Sequence, residues 1–396
     1  MILRYKRESE KDLRREPRGK KIENFANTDE MIKNLVRDGI EDLVPYPPGK
    51  PIEELERELG ISGSIKLASN ENPLGPSPKA VEAIKEKLHT INRYPDGSGF
   101  YLKAKLAEKF GLPQEQIILG NGSNELIELS VRTFLNPGEE AIQPFPTFLV
   151  YEKIVRAAGG TMVSVPLEGF NLDLDRIREA IGQKTKLLFI ANPNNPTGLA
   201  LTRAELENFL QDLPRDLLII LDEAYIEFVT DENVGSGIEL LDRHPHLLVI
   251  RTFSKLYGLA GLRIGYGFSS PEIIDYLNRV RQPFNANALA QAGALAALDD
   301  QDFVQETLNL VQAGLRQLAR GLDELGLKYF PTQTNFFLIK TPIPGKVIYE
   351  RMLRRGVIVR AMDSFGLPDH IRINVGLPQE NDRFLNTLKE IVETSA

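Results

Sequence analysis

The sequence contains no cysteine and only four histidines in 396 residues. The absence of cysteine excludes disulfide bonds, thiolate metal sites and cysteine nucleophiles. The four histidines are scattered along the chain and do not form a cluster with the spacing of a zinc site. We therefore expect no metal centre, and any covalent catalysis must use another nucleophile.

Long apolar runs are also missing, because no segment approaches the ~20 residues that are needed to cross a bilayer. The net charge of -7 gives no reason to expect nucleic acid or an anionic membrane as a partner. A hydrophobic content of 42% and a length of 396 residues suit a large globular enzyme of two or three compact units. We expect a cytoplasmic protein that acts on small molecules.

Positive charge is concentrated near the start of the sequence. Residues 1–21 carry nine Lys or Arg and four Asp or Glu, so this stretch is about +5 and the remainder about -12. It has neither the apolar core nor the small-residue cleavage site of a secretory signal, and its acidic residues argue against a mitochondrial presequence. We interpret residues 1–30 as a basic, solvated and mobile extension to which we assign no function.

The order of apolar and amphipathic segments predicts an α/β fold. Short aliphatic runs alternate with helix-like stretches such as 203–213, and the runs lie at 117–119, 161–165, 187–190, 217–221 and 247–250. This alternation is typical of a mostly parallel sheet that helices cover on both faces. Two long helical patterns then follow at 289–298 and 303–325, with strand patterns at 335–339, 357–360 and 371–375. This second part predicts a smaller α+β unit.

The segment SKLYGLAGLRIGYG at 254–267 directly follows the run 247–250 and joins Lys255 to Arg263 through a glycine-rich turn. Partial desolvation disfavours the charged form of a lysine, so its amine can act as a nucleophile and form a Schiff base. Arg263 offers a planar set of donors that matches phosphate oxygens, and Ser254 adds a hydroxyl. Pyridoxal 5'-phosphate (PLP) is an aldehyde that also carries a phosphate, and it satisfies both groups. Taken alone, a Ser-Lys pair is more often a surface lysine beside a loop.

Two more segments also follow strand patterns, and together with the Ser-Lys pair they favour a cofactor site over a surface lysine. The segment DEAY at 222–225 comes after the run 217–221, where the Asp222 carboxylate can keep a pyridinium nitrogen protonated. The segment NPNNPTG at 192–198 follows the run 187–190 and exposes the amide of Asn195. Each has a simpler interpretation, a helix N-cap for Asp222 and an ordinary turn for 192–198. Because ligands of open α/β sheets bind at the carboxyl ends of the strands, we expect Asn195, Asp222 and Lys255 to lie together.

A third segment, GNGSNE at 120–125, follows a strand pattern and opens a helical one. The backbone amides of Ser123 and Asn124 would then face an anion, with the helix dipole behind them. Glycine-rich turns before helices are common, so this segment is informative only beside Ser254 and Arg263. Together these residues predict a phosphate site.

The ordered set NPNNPTG, DEAY and SKLYGLAGLR resembles the fold-type I PLP enzymes of the class I/II aminotransferases. Within them it is similar to the histidinol-phosphate aminotransferase family, through YPPGK (46–50), NENPLGPSP (70–78), NRYPDG (92–97), GNGSNE (120–125), RQPFN (281–285) and RINVG (372–376). The resemblance covers about residues 42–390. Nine segments in one order and at plausible spacing are not expected by chance.

The resemblance implies roles for more residues around the cofactor. Phe148 would lie against the pyridine face, where many members of the family have tyrosine. Asn195 and Tyr225 would bond the 3'-oxygen of the ring. Tyr94 would reach the cofactor phosphate from a second subunit, which implies a homodimer with shared sites.

For the substrates, the resemblance implies that Arg372 binds the α-carboxylate of glutamate or 2-oxoglutarate. Tyr46, Arg360 and Asn285 would add donors for the phosphate of a larger substrate. An isolated Arg or Tyr is more often a surface or packing residue, so these roles depend on the family pattern.

The resemblance divides the chain into an N-terminal segment at 31–69 that packs on the small domain, a large PLP-binding domain at 70–285 and a small C-terminal domain at 286–396. It implies an enzyme of histidine biosynthesis with Lys255, Asp222 and Tyr225 as catalytic residues. Such an enzyme interconverts L-histidinol phosphate and 2-oxoglutarate with imidazole acetol phosphate and L-glutamate.

Three alternatives stay open. An aromatic or other amino-acid aminotransferase uses the same machinery, and a threonine-phosphate decarboxylase on the same fold releases carbon dioxide. A nicotinamide-binding Rossmann protein or a non-catalytic binding module would need evidence of its own. A near match to a dinucleotide fingerprint, at 265–270, lacks its third glycine and follows the lysine segment.

Overall fold

The computed structural model describes residues 32–46 and 48–394, so the predicted extension at 1–30 lies outside the described residues. The chain divides between Leu43 and Val44 into two compact units. In the first unit, residues 32–33 are helical and residues 34–42 are mostly turns, held by bonds such as that from Leu35 N to Ile32 O at 2.9 Å. All elements named below belong to the second unit.

The strands of the described residues form three sheets. They are β1 (Ile65–Lys66), β2 (Ile117–Gly120), β3 (Glu140–Phe145), β4 (Thr161–Pro166), β5 (Thr185–Ala191), β6 (Leu218–Asp222), β7 (Leu247–Thr252), β8 (Gly265–Phe268), β9 (Phe336–Lys340), β10 (Val357–Ile358), β11 (Arg360–Ala361) and β12 (His370–Asn374). The large sheet has seven strands in the order β2-β8-β7-β6-β5-β3-β4. Its neighbours are parallel except around β8, which is antiparallel to both β2 and β7.

Helices pack around these sheets. They are α1 (Ile52–Leu59), α2 (Pro78–Lys87), α3 (Phe100–Phe110), α4 (Ser123–Phe134), α5 (Val150–Ala157), α6 (Leu174–Ala180), α7 (Arg203–Gln211), α8 (Pro271–Val280), α9 (Ala288–Leu298), α10 (Gln301–Glu324), α11 (Gly345–Leu353) and α12 (Pro378–Glu393). Two separate apolar clusters line opposite faces of the large sheet, because side chains alternate between faces along a strand. Ile219 and Leu221 belong to one cluster, whereas Leu218 and Ile220 belong to the other. The predicted mostly parallel sheet with helices is confirmed.

Two strands of the large sheet were not predicted. Strand β3 contains Pro144, which has no backbone N–H and argues against a strand in a sequence pattern. The structure accommodates it because pairing of β3 with β5 ends at Ile142, before the proline. Strand β8 has the sequence GYGF, in which the two glycines hide the strand pattern.

The second unit also contains a three-stranded antiparallel sheet in the order β11-β12-β9, and a separate parallel pair joins β1 to β10. The strand predicted at 357–360 is split at Val359, since β10 pairs with β1 and β11 pairs with β12. Near this pair, Leu55 of α1 packs with Ala68 and Ile358. The domain boundaries at residues 70 and 285 stay a proposal. None of the helices in the described residues has both the length and the apolar character that a membrane crossing requires.

Candidate active site

The carboxyl ends of β5, β6 and β7 and the first turn of α4 line one cavity of about 210 Å³. Nine of the ten residues that the sequence predicts as cofactor ligands line it; Tyr94 does not. The parallel strands bring these residues together because each strand ends at the same edge of the sheet. The side chains come from segments that are far apart in the sequence.

Lys255 lies in the loop after β7, with its Nζ atom 3.1 Å from the backbone oxygen of Ser69. The ammonium also lies 5.7 Å from the centre of the Tyr225 ring. Removal from water, with a further contribution from the positive charge of Arg372, lowers the pKa of Lys255 to about 8. Near neutral pH, the uncharged fraction of Lys255 is therefore larger than that of an ordinary lysine. An uncharged amine can act as a nucleophile and as a proton carrier.

Asp222 ends β6 and is only 6% exposed. Its Oδ2 atom accepts a hydrogen bond of 2.7 Å from the Tyr151 hydroxyl, and Oδ1 accepts one of 3.1 Å from the Ala224 amide. Burial raises the pKa of Asp222 to about 6, and both hydrogen bonds oppose that shift. The next helical turn begins at Ile226 with Tyr225 as its N-cap, so Asp222 does not have the N-cap role that the sequence left open.

The phosphate site predicted at the start of α4 has a close-packed backbone. A Cβ atom on Gly122 would lie 2.4 Å from Nη2 of Arg263, and one on Gly265 would lie 2.4 Å from the Ser123 amide nitrogen. At Gly265 the close atom belongs to the backbone, so only glycine permits this approach. Gly122 has a positive φ of 76°, which also favours glycine. The helix N-terminus, the Arg263 guanidinium and the Ser254 hydroxyl, 3.5 Å from Arg263 Nη1, thus face the same part of the cavity.

The aromatic side chains of Phe148 and Tyr151 line the same cavity as Lys255 and Asp222. Phe148 meets the Tyr151 ring edge-on, with 5.5 Å between centroids, and Tyr151 stacks on Phe189 at 4.8 Å. With a buried amine, a buried carboxylate and an anion cradle around one cavity, the residues present fit PLP.

Arg360 and Arg372 lie directly opposite each other on the antiparallel strands β11 and β12, and both are buried. Arg372 donates to the Asn195 side-chain oxygen and, at 2.9 Å, to the Ala68 backbone oxygen, both of which are uncharged. Burial lowers the pKa of Arg372, and the neighbouring charge of Arg360 lowers it further. The Tyr46 ring covers Arg360, with 5.5 Å from the ring centroid to Cζ. Like charges on facing strands repel each other, and a bound anion would reduce this repulsion, so the pair suits an anionic substrate group.

Five predicted residues are absent from the lining of this cavity, namely Tyr46, Tyr94, Asn285, Arg360 and Arg372. Arg372 contacts the lining residue Asn195, whereas Tyr94 and Asn285 lie elsewhere within the chain. Tyr94 is 81% exposed and stacks on Phe284 with 4.6 Å between ring centroids. The Asn285 amide donates to the Leu119 oxygen at 3.0 Å and to Glu125 at 2.6 Å, so both of its donors already have protein partners. The roles given to Tyr94 and Asn285 stay predictions.

The sequence interpretation missed three residues that contact the functional groups. Tyr151 follows Phe148 by three residues, a spacing that places both on one side of a helical turn and could have indicated it. Asn70 donates to the Tyr225 hydroxyl at 2.8 Å from a segment far away in the sequence. Ser69 acts through its backbone oxygen, which no side-chain pattern can reveal.

Comparisons with known proteins identify the family to which the chain belongs. The family model described as aminotransferase class I and II matches residues 62–388. Histidinol-phosphate aminotransferase 1 of Nitrosococcus oceani is 48% identical over 92% of this chain and 98% of its own. The crystal structure of histidinol-phosphate aminotransferase from Sinorhizobium meliloti in complex with pyridoxal-5'-phosphate is 29% identical, with a TM-score of 0.84 over 91% of this chain and 98% of that chain.

A second solved structure bears on the alternatives. L-threonine-O-3-phosphate decarboxylase from Porphyromonas gingivalis is 25% identical, with a TM-score of 0.74 over 83% of this chain and 99% of that chain. The fold is thus shared with a lyase, although at lower identity than with the aminotransferases above. On the match to the family model and the 48% identity over nearly the whole sequence, the chain belongs to the class I and II aminotransferases, whose cofactor is PLP.

Proposed function

We propose that this chain interconverts L-histidinol phosphate and 2-oxoglutarate with imidazole acetol phosphate and L-glutamate. The observation that carries the proposal is the buried pair Arg360 and Arg372, in a chain 48% identical to a histidinol-phosphate aminotransferase. Arg372 connects this pair to the active-site cavity because it bonds Asn195, which lines the cavity. A cytoplasmic location is part of the proposal and rests on the composition of the sequence.

The two amino donors differ in the group beside the reacting amine. Glutamate has a carboxylate on the amine-bearing carbon, and a guanidinium can bind it through two parallel hydrogen bonds. Histidinol phosphate has a phosphooxymethyl group in that place, so Arg372 serves both half-reactions. The phosphate carries up to two charges and more oxygens than a carboxylate. Arg360 and Tyr46 supply the additional cation and hydroxyl.

When bound, PLP supplies an aldehyde that condenses with amines and a ring that withdraws electrons from the amine-bearing carbon. The Lys255 amine is the nucleophile that holds the cofactor between turnovers, and during turnover its Nζ atom takes the proton from the amine-bearing carbon of the substrate. The Asp222 carboxylate keeps the ring nitrogen protonated. Arg372 orients the substrate so that this carbon faces Lys255.

The variant Arg360→Gln tests the assignment of the phosphate site. We expect kcat/KM for histidinol phosphate to fall by about 100-fold or more, because a charge-assisted bond to a dianion is lost in a desolvated site. The value for phenylalanine, which has no phosphate, should change by less than about threefold, well under 1 kcal/mol. Arg354→Gln removes an exposed arginine from the neighbouring loop and is the matched control.

Equal losses for both substrates would mean that Arg360 only supports the fold, and the phosphate assignment would be wrong. Carbon dioxide release from threonine phosphate at a rate above that of amino transfer would favour the decarboxylase. Both measurements use the same purified holoenzyme.

We also propose that the enzyme is a homodimer in which Tyr94 completes the phosphate site of the neighbouring subunit. Tyr94 is 81% exposed and is absent from the lining of its own cavity, which supports an intermolecular role. Large apolar side chains that lie near it in the sequence or contact it are exposed as well, namely Leu88, Ile91, Phe100, Tyr101 and Phe284. Such a patch suits a protein interface, and two-fold symmetry is the commonest closed arrangement.

Mixing of inactive variants tests the shared site. Chains with Tyr94→Ala and chains with Lys255→Ala are unfolded and refolded together, each variant being strongly impaired alone. In a mixed dimer one site carries both changes and the other carries neither, so half of the sites in the mixed dimers should regain activity. If light scattering shows dimers, affinity tags on the two chains show that they mixed, and activity still does not return, Tyr94 acts within its own chain.

A further inference from the structure

Asn70 has a left-handed backbone, with φ of 55°, at a position that is 1% exposed. Residues other than glycine adopt this conformation rarely, and asparagine is among the few that are enriched in it. A buried residue held in such a conformation is a reason to look for a use of its side chain. The Asn70 side-chain amide donates a 2.8 Å hydrogen bond to the hydroxyl of Tyr225, which lines the active-site cavity.

The three-stranded sheet β11-β12-β9 and the residue before β9 fix the backbone of Asn70. Its amide donates to the Asn374 side-chain oxygen at 3.0 Å, and its oxygen accepts from the Asn335 side chain at 3.3 Å. Asn374 is the last residue of β12 and Asn335 directly precedes β9. The position of the Asn70 side chain is therefore tied to the same sheet that carries Arg372.

The two residues before Asn70 contact functional groups as well. Ala68 accepts from Arg372 Nη2 at 2.9 Å, and Ser69 accepts from Lys255 Nζ at 3.1 Å. Residues 68–70, which we call the 68–70 segment, thus bond in succession to the substrate-binding arginine, the nucleophile and Tyr225. The contacts of Ala68 and Ser69 use backbone oxygens, whereas the contact of Asn70 uses its side chain. A substitution at Asn70 can therefore remove one contact of the segment and leave the other two in place.

A phenolic hydroxyl has one hydrogen to donate and can accept through its lone pairs. Because the Asn70 amide donates to the Tyr225 oxygen, the Tyr225 hydrogen is left to point at an acceptor in the cavity. Burial raises the pKa of Tyr225, whereas the charge of Arg372 and the bond from Asn70 lower it. The Asn70 bond thereby makes the hydroxyl a better donor.

We propose that Asn70 is a positioning residue that directs the hydrogen of the Tyr225 hydroxyl into the cavity, toward the cofactor. The inference rests on the proposed function only in the role it gives Tyr225 as a cofactor ligand. It does not depend on which amine is the substrate. Asn70 itself does not reach the reacting atoms, so its effect must pass through Tyr225.

A double-mutant cycle on cofactor binding tests this dependence. The dissociation constant of PLP from the apo-dimer and the pH midpoint of the visible absorption band are measured for the parent, Asn70→Gly, Tyr225→Phe and the double variant. Glycine tolerates the left-handed φ, so it keeps the backbone and removes only the amide. We expect Asn70→Gly to weaken PLP binding by about five- to tenfold and to shift the midpoint, as for one lost hydrogen bond. In the Tyr225→Phe background the same change should have less than about a twofold effect.

A second variant, Asn70→Asp, keeps the shape of the side chain and replaces its donor by an acceptor. The Tyr225 hydrogen would then turn toward the introduced carboxylate and away from the cavity, so PLP binding should weaken at least as much as in Asn70→Gly. If Asn70→Gly does not fold, as judged by circular dichroism, this variant takes its place in the cycle. Parent-like binding by Asn70→Asp, or equal effects of either substitution in both backgrounds, would overturn the proposal. Since no substrate is present, these results stand apart from a failure of the histidinol-phosphate assignment.

Discussion

Replacement of Asp222 by asparagine should change the stability of the apo-protein and the activity of the holoenzyme in opposite directions. In the folded apo-protein the pKa of Asp222 is about 6, above the ordinary 3.8 of the carboxyl group. A carboxyl whose folded-state pKa is raised contributes its stability fully below the unfolded-state pKa of 3.8, and this contribution is lost as the pH rises through 6. At pH 8 the buried anion therefore destabilises the apo-fold relative to its protonated form.

The size of the effect follows from the shift. About two pKa units at 1.36 kcal/mol each correspond to about 3 kcal/mol at pH 8. Asparagine carries no charge and can still accept from Tyr151, but its NH₂ group faces the Ala224 amide and loses that bond, worth about 1 kcal/mol. Asp222→Asn should therefore raise the free energy of unfolding of the apo-protein at pH 8 by about 1–2 kcal/mol. At pH 4 it should give no gain.

The assay is urea unfolding of both apo-proteins at pH 8 and pH 4. One protein concentration is used throughout, because the unfolding of the proposed dimer would depend on concentration. In the holoenzyme the same substitution should lower turnover far more than cofactor affinity, since an amide can bond the ring nitrogen but cannot stabilise its proton. The reasoning is refuted if Asp222→Asn destabilises the apo-protein equally at both pH values. Turnover within about tenfold of the parent, roughly 1.4 kcal/mol, would make this carboxylate structural.

Three further predictions concern the same cavity. Borohydride should fix the cofactor to Lys255 alone, and label found on another lysine by peptide mapping would contradict this. The variant Lys255→Ala should still bind PLP through the phosphate contacts but lose turnover by several orders of magnitude. The rate at which apo-protein takes up PLP should rise with pH to a plateau above pH 8, because the amine of Lys255 has a pKa of about 8. Stopped-flow absorbance measures this rate, and a rate that stays constant from pH 6 to 9 would contradict the prediction. Tyr151→Phe removes a hydrogen bond that lowers the pKa of Asp222, so the pH midpoint for PLP affinity should move up by about one unit or more, whereas Tyr266→Phe, a buried tyrosine of β8 outside the cavity, should leave it unchanged.

Much of the large sheet could be predicted because its central strands are short aliphatic runs that end in polar segments. Asp222 and Asn195 lie where the predicted ends of β6 and β5 placed them, and the helix after GNGSNE begins at Ser123. These features are local, so the sequence pattern contains them. Strands β3 and β8 were missed since their proline and glycines contradict strand propensity, and only pairing with neighbouring strands stabilises them.

The contacts that complete the site could not be predicted, because they join segments that are far apart in the sequence. Some of them use backbone atoms, which every residue has. The Ser69 oxygen bonds Lys255 across 186 residues of sequence, and Asn70 bonds Tyr225 across 155. Backbone oxygens have no sequence signature. Arg360 and Arg372 likewise face each other only because of the register of β11 and β12. That register is fixed by the fold of the three-stranded sheet.

Steady-state turnover with histidinol phosphate and with phenylalanine, each with 2-oxoglutarate as acceptor, tests the central claim most directly. The paired arginines Arg360 and Arg372 predict that kcat/KM is at least about 100-fold higher for histidinol phosphate, since only this substrate brings a dianion to both guanidinium groups. Equal or better use of phenylalanine would contradict the assignment of the substrate.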